Sequence, residues 1–296
     1  MQIALYNDFI IQFLISNSKD NKDKKDILRY NIFYNPNNTF TISQKYFDLI
    51  AHSLENSELY DDFTEIYVKM DDDARFNSVP CSATSINIEQ EFIHLNNSIG
   101  TTGFFLSITE NKLSTVPQAV CISEIAKPNR HWTLSNLAAH HNAIIDNCEF
   151  NCNPEIQSIF DDILNLPKSN QSIYYFDRYA AKNIAKHTLF KAITKKGYPI
   201  EVYTYVPGKK GITQHELNKR KNKVISVFGN PCKFFFTYKK KLSHERKIMF
   251  NNLIIRVDVD FSEIKKANKT WEITIQYSPE KFKESVKKAK KFKEIV

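Results

Sequence analysis

Glycine and proline are scarce, at 6 and 10 of 296 residues, which excludes collagen-like, elastic and proline-rich linker architectures. Long apolar runs are missing too. No stretch approaches the roughly 18 residues that a membrane-spanning helix requires. Met1–Ile15 is apolar but carries Asp8 and no basic flank, unlike a secretory signal. The five cysteines (Cys81, Cys121, Cys148, Cys152, Cys232) are odd in number and lack framework spacing. Free thiols in a reducing compartment suit them better than a disulfide-built secreted fold, so a cytoplasmic location is expected. The chain has no glycine-rich phosphate loop, no dinucleotide fingerprint and no Gly-x-Ser-x-Gly elbow. No cofactor is expected.

What is present is charge, unevenly placed. The net charge is +8. Through Pro167 there are 11 basic and 22 acidic residues, a net −11; from Lys168 onward there are 30 and 11, a net +19. The loop-like stretch Asn165–Asn170 lies at the change of sign. Two domains follow as an expectation: an acidic mixed α/β domain over 1–167, of unknown role, and a basic domain over 168–296. The basic part should attract polyanions, either nucleic acid or anionic phospholipid, while the acidic part suits a basic protein partner.

The pattern along the chain is that of an α/β protein, α+β overall. In the first half, Phe47, Ile50 and Leu54 recur at helical spacing behind Ser43, a candidate N-cap. Glu65–Val68, Gly103–Ile108 and Val120–Ile125 read as strands, Asp71–Asp73 as an acidic turn, and Thr133–Cys148 as a helix. In the second half, Ser172–Phe176, Ile200–Tyr205, Cys232–Tyr238, Leu253–Phe261 and Trp271–Tyr277 read as strands. Ala180–Thr194 and Thr213–Asn222 read as helices. Ser278-Pro279-Glu280 opens a last helix whose apolar stripe is Phe282, Val286, Ala289 and Phe292. Its lysines fan around the opposite face, so the helix suits either docking on its own sheet or lying on an anionic membrane.

The most informative segment is Ser243–Asn252. His244 and Arg246 are two apart, so on an extended chain they share a face. Arginine donates paired hydrogen bonds to phosphate oxygens, and histidine can donate, shuttle a proton or attack phosphorus. His244-Glu245-Arg246, four residues and then Asn251 resembles the His-x-Lys-x4-Asp signature of the phospholipase D superfamily. It is more similar still to the phospholipase D-like domain found C-terminal to microtubule-interacting-and-trafficking domains, and to its prokaryotic relatives. That group has a strand ending in Asp-Pro-Tyr before a helix, and here Ile173–Phe176 precedes Asp177-Arg178-Tyr179. The resemblance covers about 172–277 and implies a sandwich of sheet and helices with a phosphate site. It also implies a prokaryotic defence setting.

The resemblance implies His244, Arg246 and Asn251 as catalytic residues, if the domain is active. Phosphate would be held by Arg178, His244, Arg246 and the run Lys239, Lys240 and Lys241. A phospholipase D reaction needs two histidines, one attacking phosphorus and one protonating the leaving oxygen. No other histidine here begins a His-x-Lys or His-x-Arg. The favoured reading is therefore a phosphate-binding, nucleic-acid-binding and catalytically weak or inactive domain. The alternatives are an active phosphodiesterase completed by homodimer formation, or an anionic-lipid module. His140-His141 with Cys148 and Cys152 lacks an established ligand spacing, and no metal site is expected.

Overall fold

The computed structural model describes residues 1–17, 27–99, 103–108, 120–121, 130–146, 172–180, 197–206, 212–229, 232–242, 245–258 and 271–295. Two compact units emerge: 1–127 with 131–141, and 128–130 with 142–296.

The first unit begins with strand β1 (Gln2–Leu5), whose Ile3, Ala4 and Leu5 are all buried. A run without alternation is what a strand covered on both faces needs. The order continues α1 (Asn7–Asn17), α2 (Ile27–Tyr34), β2 (Thr39–Ile42), α3 (Gln44–Leu54), α4 (Leu59–Asp72) and β3 (Phe76–Ser78). It closes with α5 (Ile88–Ser98), β4 (Gly103–Ile108), β5 (Val120–Cys121) and α6 (Arg130–His140). The five strands pair in parallel in the order β3-β2-β1-β4-β5. That order reverses between β1 and β4, as in doubly wound α/β sheets.

Ser43 caps α3 as its sequence predicts, accepting a hydrogen bond from the Tyr46 backbone N–H at 3.1 Å. Three expectations in this half are corrected. Glu65–Val68 is not a strand but the middle of α4, because Phe63, Ile66, Tyr67 and Met70 recur at helical spacing and only a helix places them together on the core. Asp71 and Asp72 end that helix instead of forming a turn. The helix expected over Thr133–Cys148 stops at His140, and His141 adopts a left-handed φ of 56°. Beyond it, Ala143 and Ile145 are buried while Ile144 is exposed, the alternation of a strand, β6 (Asn142–Asp146).

β6 also shifts the division between units. Its residues pair with the second unit's sheet, Ile145 opposite Ile273, so the units part near residue 141 and not at Pro167. The remaining elements are β7 (Ile173–Phe176), β8 (Ile200–Tyr205), α7 (Gln214–Phe228), β9 (Cys232–Thr237), a 3-10 turn over Lys240–Leu242, β10 (Lys247–Phe250), β11 (Leu253–Val257), β12 (Glu272–Tyr277), α8 (Pro279–Ala289) and β13 (Lys293–Glu294). They form an eight-stranded sheet in the order β13-β9-β8-β7-β10-β11-β12-β6. Only the β7-β8-β9 pairings are parallel.

Thr213 and Glu216 form a reciprocal capping box at the start of α7. Ser278 caps α8, with Pro279 at its first position. The apolar stripe of α8 does what its spacing predicts. Ala289 and the following Phe292 are buried with Phe176, Tyr203, Met249 and Ile254, and Phe282 and Val286 pack against the same cluster. Each large side chain so buried contributes about 1.5–3 kcal/mol. The stripe is thereby covered by the sheet and is not free to enter a membrane. No helix among the described residues is long and apolar enough to cross one.

Candidate phosphate site

The three parallel strands β7, β8 and β9 end side by side, and the antiparallel β10 starts at the same edge. The sequence therefore brings together, at one edge, the residues that follow β7 and β9 and those that precede β10. Asp177, directly after β7, is fully buried. Its Oδ2 accepts a 2.7 Å hydrogen bond from the Tyr175 hydroxyl, and its Oδ1 accepts one of 2.8 Å from the Tyr179 backbone N–H. The second bond is an Asx-type turn that folds Arg178 and Tyr179 back over the strand end. The Asp177 backbone N–H donates to the Tyr203 carbonyl at 3.1 Å, tying the turn to β8.

Arg246 comes to the same carboxylate from the start of β10, its Nε 3.8 Å from Asp177 Oδ1. Its Nη1 donates to the Asp258 carbonyl at 3.3 Å. The Asp258 carboxylate is engaged elsewhere, accepting from the Glu272 N–H at 2.9 Å, so it does not oppose Arg246 directly. Both arginines gather on one aromatic ring. The guanidinium carbon of Arg178 lies 5.3 Å from the centre of Tyr179, and that of Arg246 lies 5.9 Å from it. Arg178 is also 5.3 Å from the Tyr205 ring, at the end of β8. The Nε atoms of Arg178 and Arg246 are buried and make no hydrogen bond. Both guanidiniums are thus held against aromatic rings.

Of the residues singled out in the sequence, Arg178, Arg246, Lys239 and Lys241 fall at this edge. Lys239 and Lys241 are exposed, just past the end of β9, with Lys240 and Lys241 in the 3-10 turn. His244 lies outside the described residues, as do Cys148, Cys152 and most of the expected helix Ala180–Thr194. Asn251 is not at the site. It is the first residue of the two-residue turn joining β10 to β11, at the far end of a four-residue strand, about 13 Å from the edge. Asn251 and Asn252 have φ of 47° and 64°, the left-handed pair that a tight hairpin turn demands and that asparagine tolerates. Asn251 therefore serves as a turn former, and its separation from Arg246 follows from the length of the strand between them.

Lys247 follows Arg246 but points the other way. It is buried on the α8 side, 2.7 Å from Glu245 and 2.9 Å from the Ser285 hydroxyl, with Phe176 5.1 Å beneath. Burial draws its ammonium below the ordinary lysine range, against the pull of Glu245. It is a structural ion pair and not part of the edge. Tyr175, Tyr179 and Tyr205 were not predicted as site residues. Their only sequence signal is the alternation that aims Tyr175 and Asp177 to one face and Phe176 to the other. His141, half of the His-His pair, contacts the Asn38 Oδ1 at 2.8 Å, and His140 is exposed. Among the described residues, no group of three or more His, Cys, Asp or Glu is placed to hold a metal ion.

No protein-family model matches the chain, and no curated protein matches it. Among solved structures, the chain is similar to Nuc from Salmonella typhimurium, a phospholipase D family member. Identity is 12%, the TM-score 0.33, and the match covers 52% of this chain and 96% of that one. It is also similar to TrmBL2, an archaeal chromatin protein whose structure shows a novel mode of DNA binding. There identity is 11%, the TM-score 0.27, and coverage 81% and 80%. Both likenesses are weak, and neither assigns a chemistry to this chain.

Proposed function

We propose that the edge formed by β7, β8, β9 and the start of β10 grips phosphate groups of a nucleic acid without cleaving it. The observation that carries this reading is the pairing of the Arg178 and Arg246 guanidiniums on Tyr179, anchored by the buried Asp177. The carboxylate offsets one of the two charges, leaving a net positive cluster that Lys239 and Lys241 extend. Catalysis by two histidines has one candidate, His244, and the turn position of Asn251 leaves it no orienting role at the edge. A subunit of a prokaryotic defence system is the setting that suits such a binder.

Fluorescence anisotropy with a labelled oligonucleotide between 50 and 300 mM NaCl tests the proposal. Four phosphate contacts predict a slope of log affinity against log salt of about −3. Arg246→Ala should weaken binding and flatten that slope by about one. Absence of binding at 50 mM salt, or binding indifferent to salt, would overturn the reading. Cleavage of the oligonucleotide that His244→Ala abolishes would replace it with a phosphodiesterase.

A further inference from the structure

Two tyrosines at the phosphate edge turn their rings to solvent. Among the described residues of the second unit, the exposed large apolar or aromatic side chains are Ile144, Tyr179 and Tyr238. Both tyrosines lie just past a strand that ends at this edge. Phe176, Tyr203 and Phe235 stand level across β7, β8 and β9, so Asp177 is level with Phe236 and shares its face. Arg246 precedes Lys247, the partner of Phe176, and so meets Asp177 on that face. Tyr238, two residues past Phe236, keeps to the same side, and the two rings meet edge to face with centres 5.4 Å apart. Two strand spacings, about 10 Å across the sheet, separate β9 from β7.

A grip on phosphate alone favours a duplex, which carries one charge per about 1.7 Å of axis against about 3.4 Å for each strand. An exposed ring beside the grip works in the opposite sense. Bases inside a duplex hide their faces in the stack, whereas an unpaired base offers its face to a tyrosine or to an arginine plane. Tyr238 is 45% exposed, with exposed Lys239 and Lys241 just beyond it, so a base can reach the ring while flanking phosphates meet the cations. Tyr179, 37% exposed, carries both guanidiniums and extends the same platform.

We propose that this edge selects single-stranded nucleic acid, with an unpaired base stacked on Tyr238 and neighbouring phosphates on Arg178 and Arg246. The selection rests on the phosphate grip proposed above and adds to it the strand state of the ligand.

The test is fluorescence anisotropy on the full chain at 50 mM NaCl with three labelled probes of equal length: an oligothymidylate, a blunt duplex, and a strand whose bases are replaced by abasic sites. The oligothymidylate should bind about 10-fold more tightly than the duplex. Tyr238→Ala should weaken oligothymidylate binding by about 5- to 150-fold, the worth of one stacked base, and leave duplex binding and the salt slope unchanged. Tyr238→Phe, which keeps the ring, should bind as the wild type does. The abasic strand should bind the wild type no more tightly than oligothymidylate binds Tyr238→Ala. A duplex bound as tightly as the single strand would overturn the selection and leave the phosphate grip standing. An abasic strand bound as tightly as oligothymidylate would do the same without relying on any variant. A folded Tyr238→Phe as weak as Tyr238→Ala also counts against the stacking. Failure of all three probes to bind would overturn the grip, and the selection with it.

Discussion

Replacing Asp177 with asparagine sets two consequences of the site's geometry against each other. The carboxylate is fully buried and accepts hydrogen bonds from the Tyr175 hydroxyl and the Tyr179 backbone, with Arg246 3.8 Å away. Hydrogen bonds to a charged group contribute about 1.5–3 kcal/mol, and asparagine keeps an acceptor but not the charge. The variant should therefore lose about 2 kcal/mol of stability, read as a lower urea midpoint at unchanged slope. Anion binding should move the other way. A phosphate on the outer donors of Arg246 would sit about 7 Å from the carboxylate, where like charges cost about 0.6–2.4 kcal/mol across the effective dielectric range of 80 to 20. Removing that repulsion tightens binding by about 3- to 50-fold. The assay is anisotropy at fixed ionic strength on protein shown to be folded by circular dichroism. A folded Asp177→Asn variant that binds as weakly as Arg246→Ala would refute the electrostatic argument, because the carboxylate would then matter only for holding the arginine in place.

Two further perturbations probe other parts of the chain. Asn251 is 4% exposed, and neither polar atom of its amide has a partner, so Asn251→Asp should be destabilised by several kcal/mol at pH 8. The carboxyl would have a raised folded pKa, so the deficit should shrink as pH falls toward 4, whereas Asn251→Gly should be neutral or gain up to about 1 kcal/mol. Equal melting temperatures for Asn251→Asp and wild type at pH 8 would contradict this. In the first unit, burial, and secondarily the nearby α-amino group of Met1, push the His141 imidazole down to about 4. Its unfolded form titrates near 6.5, so stability is full above that pH and falls as pH drops from about 6.5 to 4. Discounted for partial solvent access, the loss is about 1–2 kcal/mol, and His141→Gln should flatten that part of the stability–pH curve in urea titrations.

Most secondary structure was legible because it is written locally. Ser43, Thr213 and Ser278 announce helix starts that hydrogen-bond geometry confirms, and the alternation in Ile200–Tyr205 and Trp271–Tyr277 marks strands. Errors came where two periods compete over a short run. Glu65–Val68 is too short for its own period to show, and the core contacts at Phe63 and Met70 make it helical. Ile144 and Ile145 extend a helical pattern on paper, yet pairing with β12 across a sheet makes them a strand.

The amino-acid order by itself determined most of the segments that become helix or strand, where the capped helices begin, that the charge is segregated, and that a histidine–arginine segment precedes a strand. Those are properties of neighbours within about ten residues, decided by caps, periodicity and composition. The tertiary structure alone decided that Arg178 and Arg246, 68 positions apart, meet on Tyr179, that Asp177 lies buried between strand ends, and that Asn251 sits at the opposite edge. The order of strands in a sheet sets these meetings. That order depends on pairing energies summed over distant segments, which no short stretch of sequence contains.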